Sequence, residues 1–334
     1  MSRDRGDRSP RTLRRRNRFA LATAVAAAVS LTASGCVVVH GEREVVPTVT
    51  RAEAARALTD FLTAYNKADK EFNRSLDADR VTGALADMDG GKLDAGRRNN
   101  PDGNSRHVPL KLTGARFVIP RKAGWPRWFV ADTLANKGRK DAHWLLVFTR
   151  SGASKVWAVS YLTIVQAGDV PAFKTDKDGW AEPVTADDPS LAVQPGKLGS
   201  AYATYLKSGG DTFAPGTHTS QWREARQRSA SKPGMARQYI DRPLAKGDYA
   251  PVGLRTTDGG ALVFFATQHY EKQTAAQGVN LTVTDPNIKA LLTGEVRQSL
   301  TLEFVSDQAV RDPADGPVEF LSRVQGLTGA KGEG

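Results

Sequence analysis

Eight arginines (Arg3, Arg5, Arg8, Arg11, Arg14, Arg15, Arg16 and Arg18) stand before an uncharged run of thirteen residues, Phe19–Leu31, and the single cysteine, Cys36, follows shortly after. This arrangement constrains the fold most, because it sets the first 35 residues apart from the folded body. A basic segment followed by about 7 to 15 apolar residues and then small residues has the pattern of a secretory signal peptide. The run is shorter than the roughly 20 apolar residues that a spanning helix needs. Arginines before it hold that end in the cytoplasm. The formal net charge is +11, and residues 1–18 account for six of those charges, since only Asp4 and Asp7 oppose the arginines. Cleavage before Cys36 leaves 299 residues at +5, with the two signs interspersed. No basic stripe survives to track phosphates, so nucleic acid is not an expected partner. A single cysteine also excludes an internal disulfide and any Cys-cluster metal site.

The segment Leu31-Thr32-Ala33-Ser34-Gly35-Cys36 resembles the lipobox of bacterial lipoproteins. In that pattern a peptidase cuts before the cysteine, whose thiol carries a diacylglyceryl group. Ala33 occupies the place where the pattern prefers Leu, and Leu31 lies further back. The resemblance implies lipidation at Cys36, the lipid bilayer as a partner, and the outer face of the cytoplasmic membrane as the location. Two acyl chains, at about 0.8 kcal/mol per buried methylene, anchor stably where one chain binds only marginally. Arg15-Arg16 is separated from the apolar run by Asn17-Arg18, which favours the general secretory route over twin-arginine export.

The mature chain reads as a tether over 36–50, an α+β domain over 51–168, a connection over 169–197 and a second α+β domain over 198–334. Thr50 and Glu53 form a capping box, and Ala54, Ala57, Leu58, Phe61, Leu62 and Tyr65 recur at helical spacing. A second helical or turn segment is expected near Val81–Met88, closed by Asp89-Gly90-Gly91, with an exposed loop over 94–107. The period then changes to two. Strands are expected over Lys111–Ile119, Trp128–Leu134, His143–Arg150 and Val156–Val165. In the second half, helices over Leu198–Leu206 and Ser220–Arg228 precede strands over Tyr249–Thr256 and Ala261–His269, which flank Thr257-Asp258-Gly259-Gly260. Asp285-Pro286 opens a short helix, and strands over Val296–Ser306 and Val318–Gln325 finish the chain. Helices followed by a curved antiparallel sheet, twice over, describe two tandem α+β units.

Helix–helix–four strands is similar to the cone of the nuclear-transport-factor-2-like superfamily, in which a bent sheet covers a helix pair and leaves a pocket. The stretches Tyr65-Asn66-Lys67-Ala68-Asp69, Pro126-Arg127-Trp128-Phe129-Val130 and Leu254–Phe265 resemble a family of uncharacterised actinobacterial lipoproteins, the domain of unknown function numbered 8094. That resemblance covers most of the mature chain and carries no activity with it.

The five histidines, His40, His107, His143, His218 and His269, lie too far apart for a helical or hairpin metal pair. Asp87-Met88-Asp89-Gly90-Gly91 and Asp176-Lys177-Asp178-Gly179 lack the ligand spacing of a calcium loop and read as turns. Ser229-Ala230-Ser231-Lys232 has no accompanying motif of a penicillin-recognising enzyme, and Arg223, Arg226, Arg228 and Lys232 around it read as a solvated face. No metal or cofactor is expected. Inside a cone, Tyr65, Asp69 and His143 are the candidate acid–base groups. Trp128, Trp144 and Trp157 are the candidate ligand-binding aromatics, with sheet packing as their other role. The sequence therefore points to a non-catalytic lipoprotein that binds an unknown extracytoplasmic ligand or protein. The alternative is a cone-fold hydrolase, isomerase or cell-wall enzyme.

Overall fold

A computed structural model describes residues 44–334; the leader, Cys36 and the tether up to residue 43 lie outside the described residues. The segment expected to end the tether packs into the body. Val46-Pro47 pairs antiparallel with Arg121-Lys122, and Thr48 and Val49 are buried.

Helix α1 (Arg51–Glu71) opens at Thr50, whose hydroxyl accepts the Glu53 amide at 3.1 Å. The capping box is only half made. Instead of reaching back, the Glu53 carboxylate accepts from Arg150 Nη1 (3.0 Å) and Trp157 Nε1 (2.9 Å), tying the helix to the sheet. Helix α1 ends at Phe72 in the left-handed region, and the Phe72 ring lies on Gly96 of the next helix. That helix, α2 (Gly83–Asn99), runs straight through Asp89-Gly90-Gly91 and takes in the first part of the expected loop. The turn reading of Asp87–Gly91 is therefore corrected to helix interior. The reason is a close backbone approach: a Cβ at Gly91 would lie 2.2 Å from the Leu327 carbonyl oxygen. Asp176–Gly179 is a turn, with Asp176 Oδ1 accepting from the amides of Asp178 and Trp180.

Strands β1 (Leu112–Val118), β2 (Arg127–Ala135), β3 (Ala142–Arg150) and β4 (Ala158–Gln166) form an antiparallel sheet in sequence order. Both faces are covered, so Trp128, Phe129, Val130 and Ala131 are all buried despite their alternation. The space between α1 and this sheet is filled with aromatic rings. Phe61 meets Phe148 edge-on at 6.0 Å, and Phe148 stacks on Phe129 at 4.8 Å.

Helices α3 (Leu198–Ser208) and α4 (Ser220–Ser229) precede β5 (Met235–Leu244), β6 (Val252–Arg255), β7 (Ala261–Ala275), the short helix α5 (Pro286–Leu291), β8 (Ser299–Asp312) and β9 (Glu319–Glu333). These strands, with the two-residue strands Pro183-Val184, Ser231-Lys232 and Leu292-Thr293, make one eight-stranded sheet. The long strand β7 lies between β8 on one side and both β6 and β5 on the other. Its period of two divides the interior. Leu262, Phe264 and Ala266 join the core of the first sheet, whereas Ala261, Val263 and Phe265 pack under α3 with Leu198 and Tyr202.

The edge of β4 is covered by side chains of the larger sheet. The Leu162 amide donates to Asp307 Oδ2 (2.9 Å) and the Ile164 amide to Ser322 Oγ (3.1 Å). Residues Val46–Gly334 form one compact α+β unit, and a single hydrophobic cluster includes residues of both sheets. The connecting segment contributes Ala181 to that cluster and Val184 to the one under α3.

Candidate functional site

The structure brings Tyr65 and Asp69 together but places His143 elsewhere. His143 Nδ1 lies 2.5 Å from Asp132 Oδ1, and Arg116 Nη2 holds the other oxygen of Asp132 at 2.8 Å. Of the three tryptophans, Trp128 and Trp157 are buried in the sheet core and Trp144 packs partly buried against it. None of them lines the cavities described below. His269 is buried and stacks on Phe304 at 4.8 Å.

Around Tyr65 and Asp69, α1 and α2 gather a polar cluster. Asp69 accepts from Lys92 and lies 2.8 Å from His107 Nδ1. Burial raises Asp69, but the hydrogen bond and charge of Lys92, followed by His107, hold it below the usual carboxylate range. Behind it Asp77 and Asp89 form a buried carboxyl pair. Burial, followed by the charge and hydrogen bond of Asp89, pushes Asp77 up to about 8. Burial also pushes Asp89 up, against the pull of Lys92. Burial and the neighbouring carboxyl together favour the protonated form of Asp77. Tyr65 is pushed well above its ordinary value by burial and then by Asp89. Lys92 of this group lines a cavity of about 320 Å³ between α2 and the Gly326-Leu327 stretch of β9. Among the described residues no three metal-ligating side chains converge.

A second cavity, of about 580 Å³, is built by α3, α4 and β5. One wall is Ala203, Leu206 and Lys207 of α3, spaced as one helix face. Another is Arg223, Arg226, Gln227 and Ala230 of α4, again at helical spacing. The strand wall is Arg237, Tyr239 and Asp241, alternate residues of β5, with Ile240 at the rim. Arg226 is buried, in contrast to the solvated face expected of it. Its two terminal nitrogens grip Asp241 at 2.7 and 2.9 Å, and its guanidinium lies over Tyr239 and Trp222. Arg237 pairs with Glu271 at 2.9 Å. The Arg223 guanidinium makes no ion pair or hydrogen bond among the described residues; it lies over the Tyr205 ring at 5.5 Å with its Nε buried and unmatched. Ser229 donates to the Ala225 carbonyl at 2.6 Å and lies 3.3 Å from the Tyr239 hydroxyl. Lys232 is exposed on the neighbouring short strand.

In the sequence Arg223 and Arg226 read only as part of a solvated face, and none of the lining residues stands out as a site residue. The signal that could have found them is the alternation Arg237-x-Tyr239-x-Asp241, which places a cation, a phenol and a carboxylate on one strand face. Because β5 is a charged strand containing Pro243, its composition masks it as loop.

Residues 45–332 match the model of the domain of unknown function DUF8094. The chain is 68% identical, over the full length of both chains, to an uncharacterised lipoprotein of Streptomyces avermitilis. It is 60% identical, again end to end, to an uncharacterised lipoprotein of Streptomyces coelicolor. A second uncharacterised lipoprotein of that organism is 26% identical, across 90% of this chain and 91% of its own. No solved structure matches. No helix among the described residues is long and apolar enough to cross a membrane.

Proposed function

Because the chain belongs to the DUF8094 family, whose Streptomyces relatives are lipoproteins, we propose that it is a lipid-anchored, non-catalytic binding module on the outer face of the cytoplasmic membrane. Cys36 carries the lipid, the leader is removed, and the α+β body holds a ligand in the cavity between α3, α4 and β5. The observation that carries the binding role is that cavity: about 580 Å³ is within the range of small-molecule sites, and its wall mixes apolar and fixed polar groups. Beside it, the Ser229 hydroxyl donates to the Ala225 carbonyl at 2.6 Å and lies 3.3 Å from the Tyr239 hydroxyl. The order helix–helix–four strands supports a cone-like reading of the first half. The interior that a cone enzyme would use is occupied by Phe61, Phe129 and Phe148.

The enzyme alternative draws its support from the Asp77–Asp89 pair. Both carboxyls are buried and line neither cavity, so they are read as structural.

Mass spectrometry of the full chain purified from its own membranes tests both parts of the proposal. The Cys36 peptide is expected to carry a diacylglyceryl mass that Cys36→Ala lacks. The native protein is expected to carry a non-covalent mass that Ala203→Trp, which fills the cavity, loses. An unmodified Cys36 removes the anchor, and a co-purified mass unaffected by Ala203→Trp removes the site.

A further inference from the structure

The cavity has more positive charge than its own side chains satisfy. Four cationic groups line it (Lys207, Arg223, Arg226 and Arg237) against one carboxylate, Asp241. Arg226 uses Asp241 fully, and Arg237 has Glu271. Lys207 and Arg223 are left without a carboxylate among the described residues. Arg223 is held in place rather than free. It lies over the Tyr205 ring and against Gly209, where a Cβ would stand 2.7 Å from Nη1, so a side chain there would displace the guanidinium. Burial, followed by the charges of Arg323 and Arg226, pushes His269 down to about 2, so that ring stays neutral.

A half-buried guanidinium without an acceptor costs stability, and an anion arriving in the cavity recovers that cost. Planar guanidinium groups with several donors match the oxygens of a phosphate better than a single ammonium does. Besides Gln227 and Tyr239, the rest of the wall is Ala203, Leu206, Ala230 and half-exposed Ile240, which offer apolar surface beside the charge.

We propose that this cavity is an anion site that takes a phosphate head joined to a short apolar group, with Arg223 as the first contact of the phosphate. The inference rests on the binding-module reading and adds the ligand class to it.

The test titrates the full chain with hexyl phosphate, inorganic phosphate and hexanol by isothermal calorimetry. One hexyl phosphate is expected per chain, bound at least tenfold more tightly than inorganic phosphate and not at all replaced by hexanol. Arg223→Gln is expected to weaken hexyl phosphate at least tenfold, and Arg223→Lys to recover part of the loss. Matching thermal midpoints of the variants establish that they remain folded. Equal binding of hexanol, or Arg223→Gln binding like the parent, overturns the proposal. Absence of hexyl phosphate binding also overturns it. If the co-purified mass is then neutral and still lost in Ala203→Trp, the binding-module reading survives without the anion. If no such mass exists, both fall.

Discussion

Asp77 and Asp89 show how a residue's surroundings can reverse its ordinary behaviour. Each is buried, and Asp77 titrates near 8 against an ordinary 3.8. A carboxyl whose folded pKa is raised binds more protons in the folded state than in the unfolded one. Its stabilising contribution is complete below about pH 4 and is lost as pH rises through about 8. Asp77→Asn mimics the protonated partner and can donate to Asp89 at any pH. The variant is expected to be more stable than the parent at pH 8 and to lose that advantage near pH 4. Urea unfolding at the two pH values measures this; parallel pH profiles would contradict it. Tyr65 and Asp69 were visible as candidates because they share a face of an evident helix. Their partners His107, Lys92 and Asp77 were not visible, because a loop, a second helix and a turn bring them in from elsewhere in the chain. The same holds for Arg226, whose burial follows from Asp241 on another element.

Among the elements, those with local signals were legible. Asp285 accepts from the amides of Asn287 and Ile288 with Pro286 in the first turn, as its sequence predicts. The Thr257–Gly260 turn closes the β6–β7 hairpin, with Arg255 opposite Ala261. The alternation along β1 to β4 located those strands within a few residues. The elements misread were those whose length is set by packing. Helix α2 carries Gly91 where β9 lies against it, and Gly326 answers in turn, where a Cβ would come within 2.8 Å of Met88. Strands β7, β8 and β9 outrun their apolar cores because each pairs along its polar length with a neighbour. Gly91→Ala separates propensity from packing. In an isolated helix it gains about 1 kcal/mol. Here the added methyl meets the Leu327 carbonyl, and overpacking of this kind costs about 1–3 kcal/mol. The variant is expected to be less stable by up to about 2 kcal/mol in urea unfolding; a more stable variant would refute the close approach.

For the whole molecule, element order suggested two units in tandem, and the described body packs both sheets around a shared core. Asp307 and Ser322 on the large sheet supply the hydrogen bonds that the edge of β4 needs. Tyr161 of β4 donates to the carbonyls of Tyr249 and Ala250. Such long-range pairings leave no periodic trace in a sequence. The cavity between α3, α4 and β5 escaped for the same reason: each wall follows its own spacing, and only the fold closes them together. Its occupancy is the central claim. A crystal structure of the full chain, purified from its own membranes without added ligand, tests it most directly. The account predicts electron density for a bound molecule between α3, α4 and β5, in contact with the Arg223 guanidinium. A bound molecule seated elsewhere on the body, with only water in this cavity, would contradict it.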